Sequence, residues 1–258
     1  MKITRKDFLR LSGLTLVAGG AMRLAQASKA AVQAAMRATG ARASQKQWAM
    51  AIDLRKCRQR PGCDECMRAC NATHNIPAIA DERHAVKWIW NEPFASVFPL
   101  QQNEYTRLNY TGSPLPVLCN HCGDPPCVRV CPTGATWKSS EDGIVMMDWH
   151  RCIGCKYCMV ACPYGARSFN FEDPRPYLPR INPEFPTRSA GVVEKCNLCE
   201  ERLAEGKLPA CLEACPEHAL AFGDLFDSNS AVSRALAESY SIRRKPELGT
   251  APNMFYIV

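Results

Sequence analysis

The stretch Cys152-Ile153-Gly154-Cys155-Lys156-Tyr157-Cys158-Met159-Val160-Ala161-Cys162-Pro163 decides the reading of this chain. Three cysteines at spacings of three can converge on one face of a metal cluster, with the loop N–H groups turned toward its sulfur atoms. Gly154 lets that loop turn tightly. The fourth cysteine, carried past a short helical turn and followed by proline, points away from the first three. A group of this kind therefore needs a second group to complete both ligand sets.

The spacing C-x2-C-x2-C-x3-C-P is that of bacterial ferredoxins, which hold [4Fe–4S] clusters on thiolates. Working outward, all sixteen cysteines fall into four groups of four, with none left over. The first is Cys57, Cys63, Cys66 and Cys70. The second is Cys119, Cys122, Cys127 and Cys131-Pro132, the third is the stretch above, and the fourth is Cys196, Cys199, Cys211 and Cys215-Pro216. The second and third groups lie close together and pair, which leaves the first and fourth to pair across the chain. The expected ligand sets are Cys57, Cys63, Cys66 and Cys215 for cluster 1, and Cys119, Cys122, Cys127 and Cys162 for cluster 2. Cluster 3 takes Cys152, Cys155, Cys158 and Cys131; cluster 4 takes Cys196, Cys199, Cys211 and Cys70. Zinc ribbons and a disulfide framework are the alternatives. Neither gives a reason for a third cysteine at the same spacing or for a fourth followed by proline.

The surroundings suggest an α+β fold of two ferredoxin-like two-cluster units with inserted loops. Strand-like runs at 49–54, 143–148 and 191–194 lead into cysteine groups, and Pro-x-Gly-Ala recurs after Cys131 and Cys162. One unit joins 49–75 with 190–225 and the other spans 116–172. An aromatic insert at 76–115 carries Trp88, Trp90, Phe94, Phe98, Tyr105 and Tyr110, for which packing is the expected role. A proline-rich arm at 173–189 is expected to lie over a surface. Residues 226–258 form a C-terminal extension whose end, 253–258, is strand-like and needs a docking site.

Residues 1–27 read as an export signal: a basic start, an apolar stretch from Leu11 to Ala21, and small residues at Ala25 and Ala27. Thr4-Arg5-Lys6-Asp7-Phe8-Leu9 resembles the twin-arginine signal, with Lys6 at the second arginine. That route carries folded cargo, which suits a protein loaded with clusters in the cytoplasm and delivered to the periplasm. An amphipathic helix or a retained anchor is the alternative. Residues 28–48 suit a linker or an exposed helix.

The formal net charge is +7. Residues 1–27 hold five basic groups against Asp7 alone, so the remainder stands at +3. Four clusters, each about −2 with its thiolates, would take that remainder to about −5. A nucleic-acid partner is therefore rejected. None of the five histidines is needed as a ligand. His121 and His150 lie near cluster cysteines as possible tuning neighbours or as ordinary polar residues. Arg129, Arg151 and Lys156 either offset cluster charge or face solvent. No dinucleotide fingerprint, nucleophile elbow or P-loop occurs, so the chain offers no catalytic site of its own.

The blocks 52–57, 116–138, 143–170 and 191–220 resemble the four-cluster iron–sulfur subunits of the dimethyl-sulfoxide and polysulfide reductase group. With residues 1–27 and the ending Arg243–Thr250, the chain is most similar to the DsrO family. These are exported iron–sulfur subunits of the sulfite-reduction-associated transmembrane complex. The resemblance implies an electron wire between an integral-membrane quinone-interacting subunit and a multihaem cytochrome c subunit, among further subunits of one complex. The iron–sulfur subunit of a molybdopterin oxidoreductase is the alternative, and a structural zinc module a more distant one.

Overall fold

A computed structural model describes residues 46–258. The expected export signal and most of the linker lie outside the described residues.

Ten short strands organise the described residues: β1 (Trp48–Asp53), β2 (Ile89–Glu92), β3 (Leu115–Leu118), β4 (Thr136–Lys138), β5 (Val145–Met147), β6 (Ser168–Phe169), β7 (Val193–Glu194), β8 (Leu220–Asp224), β9 (Ser241–Ile242) and β10 (Met254–Ile257). Each cysteine group follows a leading strand: β1, β3, β5 and β7. A short helix and a trailing strand come after it. The trailing strand then pairs antiparallel with the next leading strand, as β2–β3, β4–β5 and β6–β7. The last pairing closes the ring, because β8 returns antiparallel to β1. Four cysteine loops therefore hang on four antiparallel strand pairs.

β1 is the best-supported strand. Its residues alternate between two buried faces, as a period-2 pattern requires. Met50 and Ile52 enter the main core with Met254, Tyr256 and Phe222. Ala49 and Ala51 face the other way, where their small size admits the Ala231–Glu238 helix through Val232. Burying a residue such as Met50 or Ile52 contributes roughly 1.5–3 kcal/mol. The 253–258 tail finds its docking site here. β10 adds to β1 in parallel, Met50 opposite Met254 and Asp53 opposite Ile257, and β9 completes the sheet order β8-β1-β10-β9.

The aromatic insert packs inward, as its composition predicts. Trp88, Phe94, Phe98 and Tyr110 are buried, and only Tyr105 of the six is largely exposed. The proline-rich arm is pinned at Asn75, whose side chain donates to the Asn182 and Phe185 carbonyls and accepts the Asn182 N–H. Arg188, just before its end, forms an ion pair at 2.8 Å with Glu194, both side chains fully buried. Trp88 Nε1 and Asn170 Nδ2 also donate to that carboxylate, and the guanidinium lies over the Trp88, Trp149 and Phe185 rings. A charge pair this deep is retained because further hydrogen bonds support both sides: Trp88 and Asn170 donate to the carboxylate, and the Arg188 Nη atoms donate to the His74, Asn75 and Pro186 carbonyls.

Candidate iron–sulfur centres

The leading strands deliver the cysteine loops, and the loops depart from ordinary backbone geometry. His121, Gly154, Lys156, Leu198 and Cys199 all have positive φ, between 41° and 68°. Non-glycine residues in that region are uncommon and gather at functional sites. The consequence is that backbone N–H groups turn inward onto sulfur. Gly154 N–H donates to Cys152 Sγ, Leu198 N–H to Cys196 Sγ and Ala210 N–H to Cys199 Sγ, each at 3.4 Å. Ala219 N–H reaches Cys215 Sγ at 3.3 Å. Group I starts differently: Asp53 caps its first turn by accepting from the Arg55 and Lys56 N–H groups.

All sixteen thiols are free. Cys57, Cys63, Cys66 and Cys215 line one cavity together. Cys119, Cys122, Cys127 and Cys162 line a second. Cys70 is buried beside Cys196, Cys199 and Cys211, close enough for each to oppose its ionisation. In the remaining set, Cys158 and Cys152 are neighbours. The helices flanking that set, Pro126–Arg129 and Tyr157–Ala161, pack on one another, with Cys131 just beyond the first and Cys155 exposed in the loop before the second. Glu65–Thr73 packs likewise on Ala210–Glu213. The helices thus meet in the same couples as the cysteine groups.

The donor chemistry fits an iron–sulfur core. Burial pushes the Cys66 thiol up to about 12, and the neighbouring Cys57, Cys215 and Cys63 thiolates push the same way. Cys122 and Cys196 are also pushed up to about 12, by burial first and then by adjacent thiolates. Four soft sulfur donors crowded out of water repel one another unless a cationic core lies among them; a coordinating thiol gives up its proton outright. Cys119 is the exception. Burial opposes its ionisation too, but Lys195 and His121 outweigh it and bring the thiol down to about 5.

Histidine placement departs from a simple reading of sequence distance. His121 is fully buried, and its Nδ1 accepts the Val145 N–H at 3.1 Å, which assigns the ring proton to Nε2. His150 is exposed, its N–H donating to Asp148 Oδ1 in a turn. His74 matters more than its sequence position suggested. It stacks on Trp88, approaches Cys70 Sγ at 3.6 Å and pairs with Glu201 at 2.8 Å. Its donor atom, with Cys199 Sγ and a Glu201 oxygen, lies within a 4.8 Å cluster. The i, i+4 spacing from Cys70 was the available clue. Arg129 and Arg151 pair with Asp124 and Asp148, and Lys156 lies over Phe169 and Phe171. The cations that reach cluster thiols are instead Arg167 and Lys195, which sequence reading passed over.

Mixed small sheets and short helices carrying four cysteine quartets define an electron-transfer protein of the multi-cluster ferredoxin class. The profile of the 4Fe-4S dicluster domain matches residues 111–175 and 179–225. Among known proteins, the chain is 42% identical to the Hdr-like menaquinol oxidoreductase iron-sulfur subunit 1 of Archaeoglobus fulgidus, over 82% of this chain and 83% of that one. It is 35% identical to the iron-sulfur cluster-binding subunit of menaquinone reductase from Nitratidesulfovibrio vulgaris, covering 81% and 88%. It is also 35% identical to a sulfite dehydrogenase subunit of Allochromatium vinosum, covering 82% of each. The chain belongs to this family of oxidoreductase iron–sulfur subunits, and its cofactors are four [4Fe–4S] clusters. Among the described residues, no helix is long and apolar enough to cross a membrane.

Proposed function

We propose that this chain is the four-cluster electron wire of a membrane-associated respiratory complex. It links a quinone-interacting membrane subunit to a periplasmic multihaem cytochrome c, in dissimilatory sulfur metabolism of the DsrO type. The four quartets act as the ligand sets laid out above: Cys57, Cys63, Cys66 and Cys215; Cys119, Cys122, Cys127 and Cys162; Cys152, Cys155, Cys158 and Cys131; Cys196, Cys199, Cys211 and Cys70. Two ferredoxin-like units, 49–75 with 190–225 and 116–172, carry them two apiece. When bound, the clusters supply one-electron redox chemistry. The protein fixes their spacing, shields them from water and sets their potentials through hydrogen bonds to sulfur.

The observation that carries this reading is the gathering of cysteines from distant groups, Cys215 with Cys57, Cys63 and Cys66 above all. Relatives named for menaquinol and menaquinone chemistry support a quinone-linked partner, and a relative named for sulfite dehydrogenase supports the sulfur setting. Export by the twin-arginine route delivers the folded protein to the periplasmic face, where partners hold it at the membrane.

A second reading has its own support. Relatives named as subunits of selenate, arsenate and tetrathionate reductases favour the wire of a molybdopterin oxidoreductase. Purification of the native complex separates the two. A copurifying haem c subunit and a quinone-reactive membrane subunit are expected; a molybdenum-containing subunit without haem would favour the second. Mature protein beginning near residue 28 in the periplasmic fraction is expected, and retention in the cytoplasm would defeat the export reading.

A further inference from the structure

The four quartets do not share one electrostatic environment. Arg167 and Lys195 are 5% and 1% exposed, and neither pairs with a carboxylate among the described residues. Arg167 Nη2 donates to Cys127 Sγ at 3.0 Å and to Thr136 Oγ1 at 2.9 Å, and Nη1 reaches Met147 Sδ at 3.7 Å. Lys195 Nζ donates to the Val145 carbonyl and, at 2.6 Å, to the Cys196 carbonyl. The acidic residue beside it, Glu194, is engaged by Arg188, Trp88 and Asn170. The anions left for the two cations are thiolates. Arg167 acts on Cys127, Cys158 and Cys119; burial lowers the proton affinity of Lys195, and the Cys119, Cys196 and Cys127 thiolates oppose that. Both cations act on Cys119 and Cys127.

We propose that Arg167 and Lys195 form a buried cationic clamp that makes the cluster on Cys119, Cys122, Cys127 and Cys162 the most readily reduced of the four. This rests on the ligand sets proposed above. Reduction adds one electron to a site already bearing net negative charge. Buried cations stabilise the reduced form more than the oxidised one, and burial keeps solvent from screening them. A guanidinium keeps its charge at any working pH, and its donation to a ligand sulfur is itself a lever on potential. The other two cysteines of this quartet, Cys122 and Cys162, are opposed in ionisation by burial first and then by neighbouring thiolates, so the clamp acts through Cys119 and Cys127.

The test is redox-titrated EPR of the full-length holoprotein. Cys122→Ser identifies the signal of this cluster. That signal is expected at the highest midpoint of the four in the native protein. In Arg167→Gln and in Lys195→Gln its reduction equilibrium is expected to fall about tenfold, which for one electron is about 59 mV. Arg167→Lys should recover part of the shift, and exposed Lys207→Gln should produce none. A smaller fall is expected for the Cys158 cluster in Arg167→Gln and for the Cys196 cluster in Lys195→Gln. If Arg167→Gln depletes iron, the Lys195→Gln and Arg167→Lys arms carry the test. Suppose Cys122→Ser alters one signal whose midpoint both cation variants leave in place, or which is not the highest. Then the clamp is overturned and the ligand sets stand. If the cation variants move a signal that Cys122→Ser leaves intact, the ligand sets fail and take the clamp with them.

Discussion

Single residues here are held by very short-range geometry. Gly154 has φ +68°, and a Cβ at that position would run into the Gly191 carbonyl oxygen. Gly154→Ala therefore strains the backbone and blocks the approach of the 152–158 loop to the chain before β7. Loss of the Cys152–Cys158 cluster signal is expected, with iron falling by about a quarter; full retention would refute the close-approach argument. His74 makes a pH prediction. Burial lowers its proton affinity, but hydrogen bonds to Cys199 and Glu201 outweigh that and raise it from 6.5 to about 9. A raised value means the folded state binds the extra proton. The resulting stability is complete below pH 6.5 and is lost as pH climbs through 9, with a slope of at most ~1.4 kcal/mol per pH unit. Denaturant titrations of native protein against His74→Gln should show that slope only in the native chain. Much at this scale was open to sequence reading, because the cysteine spacing points to thiols that line common cavities. Arg167 was not: it follows Cys162 by five residues, yet its guanidinium lies on Cys127, forty residues away. Only the fold creates that contact.

Elements obey the same division between local and long-range information. The strand-like runs at 49–54, 143–148 and 191–194 emerge as β1, shifted by one residue to Trp48–Asp53, and as the shorter β5 and β7. Alternation could not reveal that β10 would lie parallel to β1, since more than 200 residues separate them and no turn fixes the register. Nor could it reveal the closing pairing of β8 with β1. Deleting 254–258 removes fully buried Met254 and Tyr256 and strips one edge of β1 of its partner. Loss of soluble holoprotein, or iron well below the native count, is expected. Full iron loading of the truncated chain would show that β10 is dispensable. The Ala231–Glu238 helix offers a gentler probe. Ser230 caps it by accepting the Ser233 N–H at 3.2 Å. Ser230→Ala should cost about 1 kcal/mol in denaturant unfolding and leave all four cluster signals unchanged.

Across the molecule, the clusters and the fold depend on one another. The described strands run from two to six residues and the α-helices from four to nine, and sheets this small supply little stability alone. The quartets are also crowded and dry: burial first, and then neighbouring thiolates, push the Cys66, Cys122 and Cys196 thiols up to about 12. Binding free energy at such a site becomes folding free energy. Chelation of iron under reducing conditions should therefore unfold residues 46–258 cooperatively, seen as loss of far-UV helix signal together with rapid proteolysis. Loss of one cluster should be milder. Cys155 is the exposed thiol of its quartet, at the rim of the packed helices. Cys155→Ala is expected to drop iron from about sixteen to about twelve per chain, erase one EPR signal and leave three titrating at their native midpoints. Those three midpoints are the decisive measurement. If they hold while the fourth signal vanishes, each couple of cysteine groups carries its clusters independently of the other couple. If chelated protein stays folded and protease-resistant, the strand pairs stand without iron, and the clusters are passengers among them.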